Sequence, residues 1–325
     1  MSRVAWTVCR VAVALTLLFY VFSRVENLSA VKQLLSTAWL LPVLALQTLI
    51  GAAIESMRLR VLYQSQNVRL PFTYGFRLVA VAAFFGLCIP GGTGGDVMKL
   101  YYLASKNRGR GVEVATVLLV DRVLAMFVLL GLLVSLAITE GRLIAAHRLI
   151  LVLVVSGAVI MAGLAALAVA SCSMRIRGTR LYAVIIERAP LSRYLIRVSD
   201  ALLSFRYHPA AVLQAAALSL TGHLLLAGMF VVAGSVVLPE APAAAVSVLS
   251  LLGMFANALP VTPGGLGVGE GAFQVLFGIA GFAGGAALIV SWRLGMASLC
   301  AIGSLFYIAG QPDGTGRASA LDPSV

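Results

Sequence analysis

Long apolar runs separated by short basic stretches are the first pattern in the chain. Runs near the length needed to cross a bilayer, about 20 mostly apolar residues, fall at 4–22, 39–54, 114–138, 149–171, 209–237 and 286–308. Three further apolar segments, 72–89, 243–259 and 268–285, each abut a break rich in proline and glycine. Such segments predict broken or re-entrant helices, which hydrocarbon tolerates only where protein or a water-filled cavity satisfies the exposed backbone. The expected fold is therefore all-α, a polytopic transmembrane helical bundle of about eight spans.

Composition strengthens that reading. Of 325 residues, 61% are hydrophobic and 11% charged, with a mean hydropathy of +1.01, whereas a soluble domain is about a quarter charged. The net charge of +12 is spread between apolar segments rather than gathered on one polar domain. That distribution suits cytoplasmic loops beside anionic headgroups and argues against nucleic acid. Cys9, Cys88, Cys172 and Cys300 form no paired motif and read as small buried hydrophobes, not as a disulfide framework or zinc site. Arg3 and Arg10 give the N-terminus the look of a signal peptide, yet no small-residue cleavage site follows at once, so a retained first helix is expected.

The basic residues also set a topology. With a cytoplasmic N-terminus and a segment at 72–103 that dips in and returns, three basic clusters fall on the cytoplasmic side: Arg58 to Arg77, Lys99 to Arg110, and Arg175 to Arg206. Arg24, Lys32, Arg142 and Arg148 remain outside. A full crossing at 72–89 would put one of the neighbouring clusters outside, against the positive-inside bias. In the loop at 172–207, Leu195, Val198, Leu202 and Phe205 recur at near-helical spacing. They predict an amphipathic helix on the cytoplasmic surface or an ordinary connector helix. The organisation expected is one transmembrane domain over 1–310, with halves near 1–140 and 205–310, and a disordered tail at 311–325 rich in Gly, Ser, Asp and Pro.

Two breaks look alike. Pro90, Gly91, Gly92, Thr93, Gly94, Gly95 and Asp96 match Pro263, Gly264, Gly265, Leu266, Gly267, Val268, Gly269 and Glu270. The prolines are 173 residues apart, Asp96 and Glu270 are 174 apart, and Arg122 and Arg293, each in a later apolar segment, are 171 apart. A shared separation at three matched points predicts two pseudo-symmetric halves, each with a re-entrant or broken helix. In each, proline ends a helix and glycines allow restricted backbone or close approach. A helix then restarts with an acid near its first turn, where free N–H groups favour a carboxylate. Such discontinuous helices can build a site for polar or anionic groups. They can also serve only to pack helices closely, with Asp96 and Glu270 as caps.

Charged side chains inside apolar helices add to the case, because each costs on the order of 3 kcal/mol even on lenient insertion scales. Asp121, Arg122 and Arg293 should face the bundle interior, with Asp96 a partner for Arg122 and Glu270 for Arg293, within each half or exchanged between halves. They either fix helix packing alone or meet a lipid phosphate. Glu55 and Arg58 read as a solvated helix terminus, and His223 as a satisfied structural histidine. No phosphate loop, dinucleotide fingerprint, zinc motif or nucleophile triad survives inspection, so neither a catalytic residue, a metal nor a cofactor is expected.

Pro90 through Asp96 with Lys99, the Asp121-Arg122 pair, Leu259-Pro260 through Glu270, and Arg293 together resemble the flippase-like transmembrane region of lysylphosphatidylglycerol synthase, also called the multiple peptide resistance factor transmembrane region. The likeness covers about 10–310. It implies movement of a polar lipid, anionic or aminoacylated, between leaflets of the cell inner (cytoplasmic) membrane, with a lipid-modifying enzyme as a possible partner. Asp96, Lys99, Asp121, Arg122, Glu270 and Arg293 are the substrate-binding candidates it carries over. Two positions depart from the family pattern: Lys99 stands where an arginine is usual, and Asp121 where a glutamate is usual. A membrane-embedded enzyme or accessory subunit acting on a lipid-linked substrate is the alternative reading.

Overall fold

The computed structural model describes residues 33, 34, 36–88, 94–173, 179, 192–258 and 267–309. Among these, the regular elements are α-helices: α1 (Leu40–Ser65), α2 (Phe72–Cys88), α3 (Gly94–Lys106), α4 (Gly111–Thr139), α5 (Gly141–Ala146), α6 (Arg148–Cys172), α7 (Ser192–Ser204), α8 (Pro209–Val237), α9 (Ala243–Asn257), α10 (Val268–Ile279) and α11 (Gly285–Ile308). Five of them, α1, α4, α6, α8 and α11, are long and apolar enough to cross a membrane. These are five of the six expected spans. The first span at 4–22, the motif residues Pro90, Gly91, Gly92, Pro263, Gly264 and Gly265, and the tail at 311–325 lie outside the described residues.

The segments expected to be re-entrant form two helical hairpins. Helices α2 and α3 have 17 and 13 residues, and α9 and α10 have 15 and 12. At about 1.5 Å per residue they reach from about 18 to 25 Å, short of the roughly 30 Å hydrocarbon core. Helices α2 and α3 run antiparallel: the Tyr74 hydroxyl donates to the Tyr102 carbonyl at 3.5 Å, and Gly95 lies against the Ala82 carbonyl. Helices α9 and α10 do the same, with Gly253 against the Phe273 ring and Gly269 against Asn257.

The hairpins enter from opposite sides. Gly51 approaches Leu225, Ile54 approaches Gly222, and Arg58 reaches Ser219, so α1 and α8 are antiparallel along their contact. Each of these helices leads directly into one hairpin. The first hairpin therefore dips in from one face of the bundle and the second from the other, which makes the two related halves an inverted repeat.

Helix α11 packs against both hairpins. Gly285 meets Phe273 and Phe277 of α10, Gly295 meets Leu44 and Thr48 of α1, and Gly303 meets the Ala80 carbonyl of α2. Lipid tails supply no hydrophobic drive between helices, so close approach at small residues becomes the main source of adhesion. In its apolar stretch α11 is 61% buried, while α6 is only 17% buried and stands at the periphery. Helix α6 turns Leu151, Val152, Val155 and Val159 outward, as expected for a lipid-facing span. The amphipathic helix expected in the basic loop is α7. Val198, Ala201 and Phe205 are buried, so its apolar edge docks on the bundle.

Gly303→Val would drive a side chain into the Ala80 carbonyl, an overpacking strain of about 1–3 kcal/mol. Gly163 of α6 has open space where a Cβ would stand. In detergent, Gly303→Val should lower the thermal midpoint clearly and Gly163→Ala should leave it nearly unchanged.

Candidate functional site

Helix α4 carries Asp121 and Arg122 ten and eleven residues beyond Gly111. That is about 15 Å along the axis of a helix long and apolar enough to cross a membrane. Charges at that depth need partners, and the neighbouring helices supply them. Arg58 of α1 binds Asp121 as a fork, Nε to Oδ1 at 2.7 Å and Nη2 to Oδ2 at 3.0 Å. Its Nη1 donates to the Ser219 hydroxyl of α8 at 3.1 Å. The side chains of this pair are only 12% and 5% exposed.

Around it sit two further pairs. Lys99 of α3 donates to the Glu55 carboxylate of α1 and lies 4.0 Å from Asp96 Oδ1, one turn earlier. Arg122 Nη2 meets Asp96 Oδ2 at 2.5 Å. Asp96 stands in the first turn of α3, as expected from its place after the break. The three pairs join α1, α3, α4 and α8. The Tyr63 hydroxyl, donating to the Val114 carbonyl at 3.1 Å, adds a further tie between α1 and α4.

Glu55 and Arg58 correct the sequence reading. They sit within α1, which continues past the apolar run to Ser65, and Arg58 and Lys99 are internal rather than loop charges. The physical reason is pairing: opposing carboxylates arrive from α1, α3 and α4 at the same level. A count of intramembrane acids against bases carried that signal, since Asp121 and Asp96 together call for more cations than Arg122 alone.

These side chains line a cavity of about 470 Å³ that also takes in Gln47, His223, Asn257 and Trp292. Gln47 Oε1 and Asn257 Oδ1 are buried without a hydrogen-bond donor. His223 Nε2–H donates to the Ala125 carbonyl at 3.0 Å, so its structural role is as expected. The lining comes from the first half, with Glu55, Val79, Asp96 and Asp121, and from the second, with Ser219, Asn257 and Trp292. The cavity thus lies where the two halves meet.

The second hairpin holds the symmetry-related pair. Arg293 of α11 binds Glu270 of α10 as a fork, Nε to Oε1 at 2.7 Å and Nη2 to Oε2 at 3.0 Å. Oε2 also accepts from the Gly267 N–H at 2.8 Å, so the carboxylate caps α10 and holds α11 together. Gly267, at φ +81°, is in the left-handed region that suits glycine. Both expected partnerships, Asp96 with Arg122 and Glu270 with Arg293, are present. The two pairs differ in surroundings: Arg122 lines the cavity with its side chain 58% exposed, whereas that of Arg293 is 6% exposed and neither it nor Glu270 is part of the lining.

A family model described as the lysylphosphatidylglycerol synthase TM region matches residues 7–302. The chain belongs to this family. No curated protein and no solved structure matches it. Of the six candidates that the resemblance carries over, Asp96, Lys99, Asp121 and Arg122 come together on the cavity wall. The lysine and aspartate that depart from the family pattern both keep ion-pair partners there.

Breaking a buried pair by removing one member costs about 3–5 kcal/mol, more than replacing both with apolar groups. Arg58→Ala and Asp121→Ala should each depress the thermal midpoint strongly. The double variant Arg58→Met with Asp121→Leu should lie closer to wild type than either.

Proposed function

We propose that this member of the lysylphosphatidylglycerol synthase transmembrane family is a lipid transporter of the flippase type. On this reading it acts in the cytoplasmic membrane and moves a polar, anionic or aminoacylated lipid between leaflets rather than altering it. The observation that carries the proposal is the position of the cavity. A hollow of about 470 Å³ lined by Asp96, Lys99, Asp121 and Arg122 draws its wall from both hairpins and from α1, α4, α8 and α11, helices long and apolar enough to cross a membrane.

A headgroup crossing hydrocarbon unaided leaves its hydration shell behind, and a charge at the bilayer centre costs at least about 3 kcal/mol. A charged, roomy surface at that depth replaces the lost water while acyl chains stay in lipid. Arg122 suits a phosphate, since its fork matches phosphate oxygens and its side chain faces the cavity. Movement through such a path runs downhill or is coupled to an ion gradient. An enzyme that makes the lipid is the natural partner on this reading.

In proteoliposomes carrying fluorescent phospholipid, the wild-type chain should speed exchange between leaflets. Arg122→Ala should reduce the rate by roughly tenfold or more, as expected on losing a charge-assisted contact. Arg142→Ala, outside the cavity lining, should leave it unaltered. Equal rates for all three proteins and for empty vesicles would sink the proposal.

A further inference from the structure

Among the described residues the cavity wall is balanced in charge. Its lining holds three carboxylates, Glu55, Asp96 and Asp121, and three cations, Arg58, Lys99 and Arg122. His223 also faces it and is hydrogen-bonded to a carbonyl. The segments 89–93 and 259–266 contain no ionisable side chain. In a medium of low dielectric, a ligand that unbalances the sum leaves one charge without a partner, which opposes its binding.

The three pairs are not equally open to exchange. Arg58–Asp121 is a buried fork anchored by Ser219, and Lys99 is 8% exposed against Glu55. Asp96 and Arg122 alone combine a single close contact with side chains that are 29% and 58% exposed. A phosphate arriving at Arg122 displaces Asp96, which then keeps only Lys99 at 4.0 Å, and Lys99 is already committed to Glu55. Asp96 therefore needs a new cation. The unmatched oxygens of Gln47 and Asn257 add to the demand for a group that brings N–H donors.

We infer that the site takes a headgroup with no net charge, one that carries both a phosphate for Arg122 and an ammonium for Asp96. The inference rests on the transport reading for its setting, but it concerns recognition and can be tested by binding alone. Opening one internal pair and forming two external ones keeps every charge matched. A purely anionic headgroup orphans Asp96, and a headgroup with surplus positive charge brings a cation that no carboxylate among the described lining residues is free to take.

Binding of three soluble short-chain lipids to the purified full chain in detergent tests this, read by tryptophan fluorescence, since Trp292 lines the cavity. The probes are dihexanoyl phosphatidylethanolamine, which has no net charge near neutral pH, dihexanoyl phosphatidylglycerol, which is anionic, and its lysyl ester, which is cationic. The neutral zwitterion should bind tightest, by roughly tenfold over either charged probe. Asp96→Asn should shift preference to the anionic probe and Arg122→Gln to the cationic one, while Asp96→Glu and Arg122→Lys keep the wild-type order. A merely structural pair would weaken all probes alike. Tightest wild-type binding of a charged probe, or one order shared by wild type, Asp96→Asn and Arg122→Gln, would overturn the inference. If the neutralised variants do not fold, the wild-type order and the two conservative variants decide it. Zwitterion preference without leaflet exchange defeats transport alone, and exchange without that preference defeats this inference alone.

Discussion

Hydrocarbon offers nothing to solvate a charge, and most of the architecture follows from how this chain meets that condition. Six ionised groups from α1, α3 and α4 gather inside the bundle, and each finds an opposite charge within the same layer. Pairing of this kind specifies which helices must be neighbours far more narrowly than apolar packing does, because a leucine can face many partners and a buried arginine very few. Asp121 fixes α4 beside α1, while Lys99 ties the first hairpin to α1 and Asp96 ties it to α4.

Around that layer the scaffold is two-fold in kind but the chemistry is not. Helices α1 to α4 and α8 to α11 repeat a span, a short hairpin and a second span, and each half keeps an acid at the start of its second hairpin helix bound to an arginine in the span that follows. At offsets near those of the repeat, the first half has Glu55, Arg58 and Asp121 where the second has apolar residues such as Ala227, Met229 and Trp292. The first half accordingly lines the cavity with charges, while its counterpart pairs Glu270 with Arg293 away from it. One copy carries the polar work and the other gives it a wall.

Much of this was legible in the chain. Apolar run length located the five described spans, because the bilayer fixes that length. The matched breaks announced two halves and both acid–arginine partnerships. Three features lay beyond the pattern. Glu55 and Arg58 sit where an apolar run gives way to polar residues, which looks the same whether the helix ends or goes on into a protein interior. The direction in which the second hairpin enters depends on counting crossings, not on local residues. The separation of Glu270 and Arg293 from the cavity depends on side-chain packing, on which their resemblance to Asp96 and Arg122 is silent. Gly95 shows the same limit: the sequence left its role open between ligand approach and helix packing, and it lies against Ala82.

A single helix, α11, seats both hairpins through glycine contacts near its two ends. At Gly303 the neighbour is the Ala80 carbonyl, and at Gly285 it is the Phe273 carbonyl and the Phe277 side chain. Neither position leaves room for a Cβ, so the fit of both inserts is written into two hydrogen atoms on one helix.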